Sequence, residues 1–138
     1  MKGYLLDTSI CVFLFRGKYD IDMKLNEVGH AKCFISEVVL AELRYGAYKS
    51  DRTSENLQMI DEFVELVHVL PFGNSIDEYA REKARLSRSG QMIEDFDLLI
   101  GCAAKEAGLT LVTNNVKHFK HIDGLEIEDW TSDVPLRD

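Results

Sequence analysis

The sequence predicts an α/β fold in which a short-stranded, mainly parallel sheet is covered by helices on both faces. Three observations carry this expectation. Short apolar runs of strand length recur along the chain, as strands buried on both faces do. Segments with a helical apolar period lie between those runs. The chain has 138 residues, 46% of them apolar and 29% charged, with only two prolines and nine glycines and no linker-like stretch. That suits a single domain over residues 1–138 with one core.

The elements follow in order. Residues 2–6 form an apolar run that ends in Asp7, a buried strand. Residues 8–16 are helical, with Thr8 or Ser9 as N-cap. Residues 19–28 make a weaker amphipathic helix that stops at Gly29. Residues 33–35 are a second strand, after which Ser36 caps a helix running to about Tyr48. Residues 52–66 carry Leu57, Ile60, Phe63 and Val64 at helical spacing, and residues 67–71 make a third strand. Asn74 or Ser75 opens a helix that Gly90 closes; residues 94–107 form another, closed by Gly108. Residues 109–113 are a fourth strand and residues 126–128 a fifth.

Composition excludes several classes of protein. The longest strictly apolar run, residues 10–15, falls far short of the roughly 20 residues of a membrane helix. Asp7 breaks the apolar stretch near the N-terminus, and no signal-peptide cleavage pattern follows it. Cys11, Cys33 and Cys102 are odd in number and far apart, which reads as buried thiols in a reducing cytoplasm. Sixteen basic residues against twenty-four acidic ones leave a net charge of −8. Residues 1–50 are nearly balanced, with seven basic and six acidic residues, whereas residues 51–138 hold nine and eighteen. A nucleic-acid ligand would therefore need a local basic patch or a cation that offsets the acids.

In doubly wound sheets, sites form beyond the carboxyl ends of the strands. That rule selects three acids. Asp7 directly follows the first strand, where it can hold a cation, accept a phosphoryl group or cap the next helix. Glu42 is the only charge within Val38-Val39-Leu40-Ala41-Glu42-Leu43, and either is buried with a partner or a metal or faces solvent near Lys49. Asp97 adjoins the apolar run that begins at Leu98. Its neighbours Glu94 and Asp95 are accounted for by the helix dipole, as is Glu37. Carboxylates drawn together repel unless a cation compensates them. Oxygen ligands without paired His or Cys suit Mg²⁺ or Mn²⁺ rather than zinc.

These pieces resemble the PIN-domain ribonucleases, and more closely the VapC toxins of toxin–antitoxin operons. Tyr4-Leu5-Leu6-Asp7-Thr8-Ser9 looks like the family's opening strand and first acid. Ile35-Ser36 with Leu40-Ala41-Glu42-Leu43-Arg44-Tyr45-Gly46 looks like its second motif, and Asp95-Phe96-Asp97-Leu98-Leu99-Ile100 like its third. Leu111-Val112-Thr113-Asn114-Asn115 looks like the fourth, and Phe119, Gly124-Leu125 and Glu128-Asp129-Trp130 like the tail. The resemblance implies a PIN-like three-layer α/β/α sandwich. It implies that Asp7, Glu42 and Asp97 hold Mg²⁺ or Mn²⁺ and that a metal-activated water hydrolyses an RNA phosphodiester. Thr8 and Thr113 would steady the acids from behind. Asn115 stands where many members have a further acid, and there its amide would orient water without adding charge. The implied partners are a cognate VapB-type antitoxin, a structured RNA such as tRNA or rRNA, and a second copy of the chain in a homodimer; no membrane is involved.

For phosphate contacts, Lys117, His118, Lys120 and His121 follow Asn115 closely. Arg81, Arg85 and Arg88 share one helix face, either as a second patch or paired with Asp77, Glu78 and Glu82. Arg16 and Lys18 are a third candidate. Two other functions compete. Phosphotransfer on Asp7 would want a second Asp where Ser9 stands, or a late-strand lysine where Asn114 stands. A PIN module that binds without catalysis is the other.

Overall fold

The computed structural model describes residues 2–132; residue 1 and residues 133–138, which the single-domain expectation also spans, lie outside the described residues. The chain alternates strand and helix. Its elements are β1 (Tyr4–Leu6), α1 (Thr8–Phe15), α2 (Ile21–Val28), β2 (Cys33–Ser36), α3 (Glu37–Lys49), α4 (Thr53–Val64), β3 (His68–Leu70), α5 (Ile76–Arg88), α6 (Asp95–Glu106), β4 (Thr110–Val112), α7 (Val116–Phe119) and β5 (Ile127–Glu128). The strands form one sheet in the order β3-β2-β1-β4-β5, and every neighbouring pair is parallel. Helices flank this sheet, which bears out the α/β expectation. Leu5, Leu6, Ile35, Leu111 and Val112 are fully buried within it, packed with Ile10, Val39, Leu98, Ile100 and Phe119 from the helices. All three cysteines are free and buried.

The strand order positions the site. From β1 the chain steps outward through β2 to β3, then returns to place β4 on the other side of β1. The reversal lies between β1 and β4, where loops leave the carboxyl edge in opposite directions and open a crevice. Leu6 pairs with Val112 at that edge, so the next residues, Asp7 and Thr113, emerge side by side.

Local differences from the sequence expectation have physical causes. Of the cap candidates for α1, Thr8 and Ser9 are not used and Asp7 is, as one of its sequence alternatives allowed: its backbone is extended and its carboxylate accepts from the Thr8 amide. Helix α2 starts at Ile21 rather than at residue 19, because Tyr19 and Asp20 both take left-handed backbone (φ 60° and 54°). Phe72–Ser75 forms a 3-10 turn ahead of α5, so neither Asn74 nor Ser75 makes a side-chain cap. The four-residue α7 had no counterpart in the sequence pattern, since one buried side chain, Phe119, anchors it.

Candidate active site

Three elements deliver three carboxylates to one open cleft. Asp7 comes from the end of β1, Glu42 from the second turn of α3 and Asp97 from the first turn of α6. With Thr8, Ser9, Asn114 and Asn115 they line a cavity of about 470 Å³. Among the described residues no lysine or arginine lines it.

Each acid is held in place by a neighbour. Asp7 is 6% exposed. Its Oδ1 accepts from the Thr8 amide at 2.8 Å and its Oδ2 from the Thr113 hydroxyl at 2.8 Å. Thr113 is fully buried, and its Oγ1 in turn accepts from the Asn115 amide at 3.0 Å. The Thr8 hydroxyl donates to Glu42 Oε1. The Nδ1 of His118 lies 3.2 Å from Asp97 Oδ2 and 2.9 Å from the Asn115 amide nitrogen. On the far rim Ser9 donates to Asn114 Oδ1 at 2.8 Å. The threonines thus stand behind the acids, and Asn115 acts through its backbone on Thr113 and through its amide on His118.

Electrostatics follow from this packing. Burial pushes the Asp7 carboxyl above its usual range; the bonds from Thr113 and Thr8 pull it back in part, and the charge of Asp97 adds to the rise. Burial likewise raises Asp97, with His118 lowering it and Glu94 and Glu42 raising it further. Both aspartates are thus disfavoured as anions by desolvation and by a neighbouring carboxylate, Asp97 for Asp7 and Glu94 and Glu42 for Asp97. Among the described residues no three His, Cys, Asp or Glu side chains close on one point as the ligands of an ion would. Instead Asp7 Oδ2 faces Thr113, Glu42 Oε1 faces Thr8 and Asp97 Oδ2 faces His118. The donor set nonetheless fits a hard divalent cation: all the charged donors are carboxylate oxygens, two belong to groups raised by desolvation, and among the described residues only His118 stands against them as a base.

The remaining candidates separate. Lys117 and Lys120 are exposed on and just beyond α7, next to Asn115. Arg16 is exposed at the end of α1 and lines a second pocket together with Thr8 and Glu42. Arg85 does not reach the cleft. It clamps Glu82 through Nε at 2.8 Å and Nη2 at 3.0 Å, and the same Nη2 donates to the His121 carbonyl at 2.7 Å. Arg81 pairs with Glu78, so this face follows the ion-paired alternative; Arg88 makes no ion pair among the described residues. Asp95 is engaged elsewhere, by Lys83 at 2.8 Å and the Tyr79 hydroxyl at 3.0 Å, which hold it below the usual carboxylate range. Glu37 accepts from the Phe72 amide at 2.7 Å and Lys49 sits over the Tyr45 ring, so neither touches Glu42. The role of His118 beside Asp97 escaped the sequence reading, which placed it in a phosphate patch. A histidine three residues after Asn115, on one turn of helix, was the available signal.

Comparison with known proteins gives a consistent result. The PIN domain profile matches residues 4–125. The chain is 36% identical to the tRNA(fMet)-specific endonuclease VapC of Shigella flexneri, over 95% of this chain and all of that protein. Among solved structures it is similar to DNA-bound VapBC from Salmonella typhimurium, with a TM-score of 0.88 and 33% identity over 94% of this chain and 99% of that one. It is also similar to VapBC2 from Rickettsia felis bound to a promoter DNA fragment, with a TM-score of 0.84 and 34% identity over 92% and 98%.

Proposed function

The chain belongs to the PIN-domain family, among the VapC ribonucleases, and on that premise we propose that it is a metal-dependent endoribonuclease and the toxin of a VapBC pair, cutting a phosphodiester in structured RNA. The observation that carries this reading is the convergence of Asp7, Glu42 and Asp97 from three elements on a cleft that no lysine or arginine among the described residues lines, at the sheet's switch point.

Asp7, Glu42 and Asp97 would hold Mg²⁺ or Mn²⁺. Bound there, such an ion supplies a water of lowered pKa and offsets charge on the phosphate. The chain's own residues do the positioning. Thr113 and the Thr8 amide grip both oxygens of Asp7, which fixes its plane. Thr8 also steers Glu42, so one residue couples two of the acids. Asn115 holds the Thr113 hydroxyl through its backbone and, with an amide in place of a carboxylate, adds no further charge. Lys117, Lys120 and Arg16 are free to neutralise RNA phosphates on either side of the cleft.

The Shigella relative is specific for tRNA(fMet) by name, which makes a tRNA the first substrate to test. The VapBC complexes among the similar structures support a VapB-type antitoxin as partner. Tyr45, Tyr48, Met59 and Leu66 are exposed on and beside the packed pair α3 and α4 and provide an apolar face for that partner or for a homodimer. No helix among the described residues is long and apolar enough to cross a membrane, and free buried thiols support a cytoplasmic setting.

The test is induced expression in bacteria without a partner, wild type beside Asp7→Asn, with growth followed and total RNA mapped for new ends. Growth arrest with discrete new ends, absent in the variant, is the expected result. Intact RNA with both proteins well expressed would refute the reading.

A further inference from the structure

We propose that a second pocket, adjoining the acidic cleft, seats one unstacked nucleobase flanking the phosphate to be cut and sets the sequence preference of the enzyme. The proposal rests on the ribonuclease reading. The pocket lies between α1, α3 and α4 and has a volume of about 280 Å³. That is just below the roughly 300–1,000 Å³ that accommodates a drug-sized ligand, and so suits a single base. Thr8 and Glu42 line both this pocket and the cleft. The hydrogen-bonded pair Thr8–Glu42 is the rim the two share, so a nucleotide whose phosphate lies on the acids can reach across it to place its own or its neighbour's base here.

Gly46 is the second observation. It lies one turn after Glu42 on the same face of α3 and lines the pocket. A Cβ there would meet nothing within 4 Å, and the backbone is ordinary helix with no positive φ. Neither packing nor conformation calls for glycine. A glycine inside a helix costs about 0.5–1 kcal/mol relative to alanine, so the gap it leaves is a feature to explain. A bare stretch of helix lets a flat group lie against it.

The walls match a base better than an apolar partner residue. Phe15 and Met59 offer apolar contact. The Arg16 side chain makes no ion pair or hydrogen bond among the described residues, and its guanidinium can stack on a base or meet the next phosphate. The Asn56 amide nitrogen donates to Ser50 at 2.9 Å, which leaves its carbonyl oxygen to accept from an exocyclic amino group. An aliphatic occupant would cover the Asn56 carbonyl without offering it a donor.

The test uses purified protein with Mn²⁺ or Mg²⁺ on a library of tRNA-like RNA stem-loops whose single-stranded loop is randomised, with cut ends read by sequencing. Wild type should show a base bias at one position flanking the cut. Gly46→Leu, which fills the pocket, should lower kcat/KM at least tenfold and flatten that bias, with no fall in Tm, since leucine is the better helix former. Asn56→Ala should shift the bias among bases with and without the amino group. Equal cutting with equal bias in Gly46→Leu overturns the pocket and leaves the ribonuclease reading standing. Unchanged cutting with lost neutralisation by an antitoxin assigns the pocket to a protein partner and also overturns the proposal. If Gly46→Leu melts below wild type, Asn56→Ala decides alone, and an unchanged bias overturns the proposal. A wild type that cuts nothing removes the ribonuclease reading and the pocket with it.

Discussion

Asp7 serves two purposes with one side chain. One oxygen caps α1 and the other receives Thr113 across the switch point. The position is costly because burial opposes the charge, so the folded protein holds this proton more tightly than the unfolded chain does. Stability is therefore lost as pH rises from the usual value of 3.8 through the raised one. Asn at position 7 keeps a cap acceptor and removes the charge. Asp7→Asn should abolish cleavage yet fold, with a Tm at or above wild type at neutral pH. In metal-free buffer the gap between the two melting temperatures should widen from pH 3.5 to pH 7. Adding Mg²⁺ should raise the Tm of wild type and not that of the variant. Glu82 has the opposite sign. Arg85 and the Asp123 amide hold its carboxylate below the usual 4.5, so its contribution is full above that value and is lost as pH falls through the folded one. Glu82→Gln should cost about 1.5–3 kcal/mol at pH 7, from loss of charge-assisted bonds, and markedly less at pH 3; urea unfolding at the two pH values measures both.

At the scale of elements, two helix-interior glycines behave differently. On α6, a Cβ at Gly101 would lie 2.4 Å from Ile122 Cδ1 and 3.3 Å from Phe119 Cδ1. The segment carrying Phe119 and Ile122, both buried, packs directly on that helix. Gly101→Leu should destabilise by about 1–3 kcal/mol through overpacking. On α3, Gly46→Ala should stabilise by about 0.5–1 kcal/mol, because nothing opposes the methyl group. Chemical denaturation of the two variants tests both signs. The expected elements are those observed, with ends shifted by a few residues. Their apolar periods are long enough to register, whereas α7 depends on Phe119 alone. The cap of α1 falls on Asp7 because the strand ends at Leu6 and the carboxylate reaches back to the next amide.

At the scale of the molecule, a net charge of −8 requires that RNA be held locally. On the proposed reading Lys117 and Lys120, exposed beside Asn115, would supply that charge, while the cation of Arg85 is already spent on Glu82. RNA binding by Asp7→Asn should therefore weaken with salt. Adding Lys117→Ala should lower the slope of log K against log salt by about 0.7, the value for one contact to a single strand. Arg85→Ala should leave that slope unchanged and lower stability instead. Titrations at several salt concentrations separate the two.

The sequence by itself determined the alternation of strand and helix, the parallel sheet and the three acids. Each is a local matter: buried strands read as short apolar runs, and an acid beside such a run stands out because burying a charge is costly. The tertiary structure alone decided which charges are spent and which are free. Arg85 and Asp95 resemble Arg16 and Asp97 in sequence, yet Glu82 and Lys83 claim the first two. It also decided that His118 turns to Asp97 and that Thr8 joins Glu42 to the end of β1. Those contacts join residues distant in the chain, and the strand order that brings β1 beside β4 creates them; no local pattern encodes a meeting of side chains that are neighbours only after the sheet has formed.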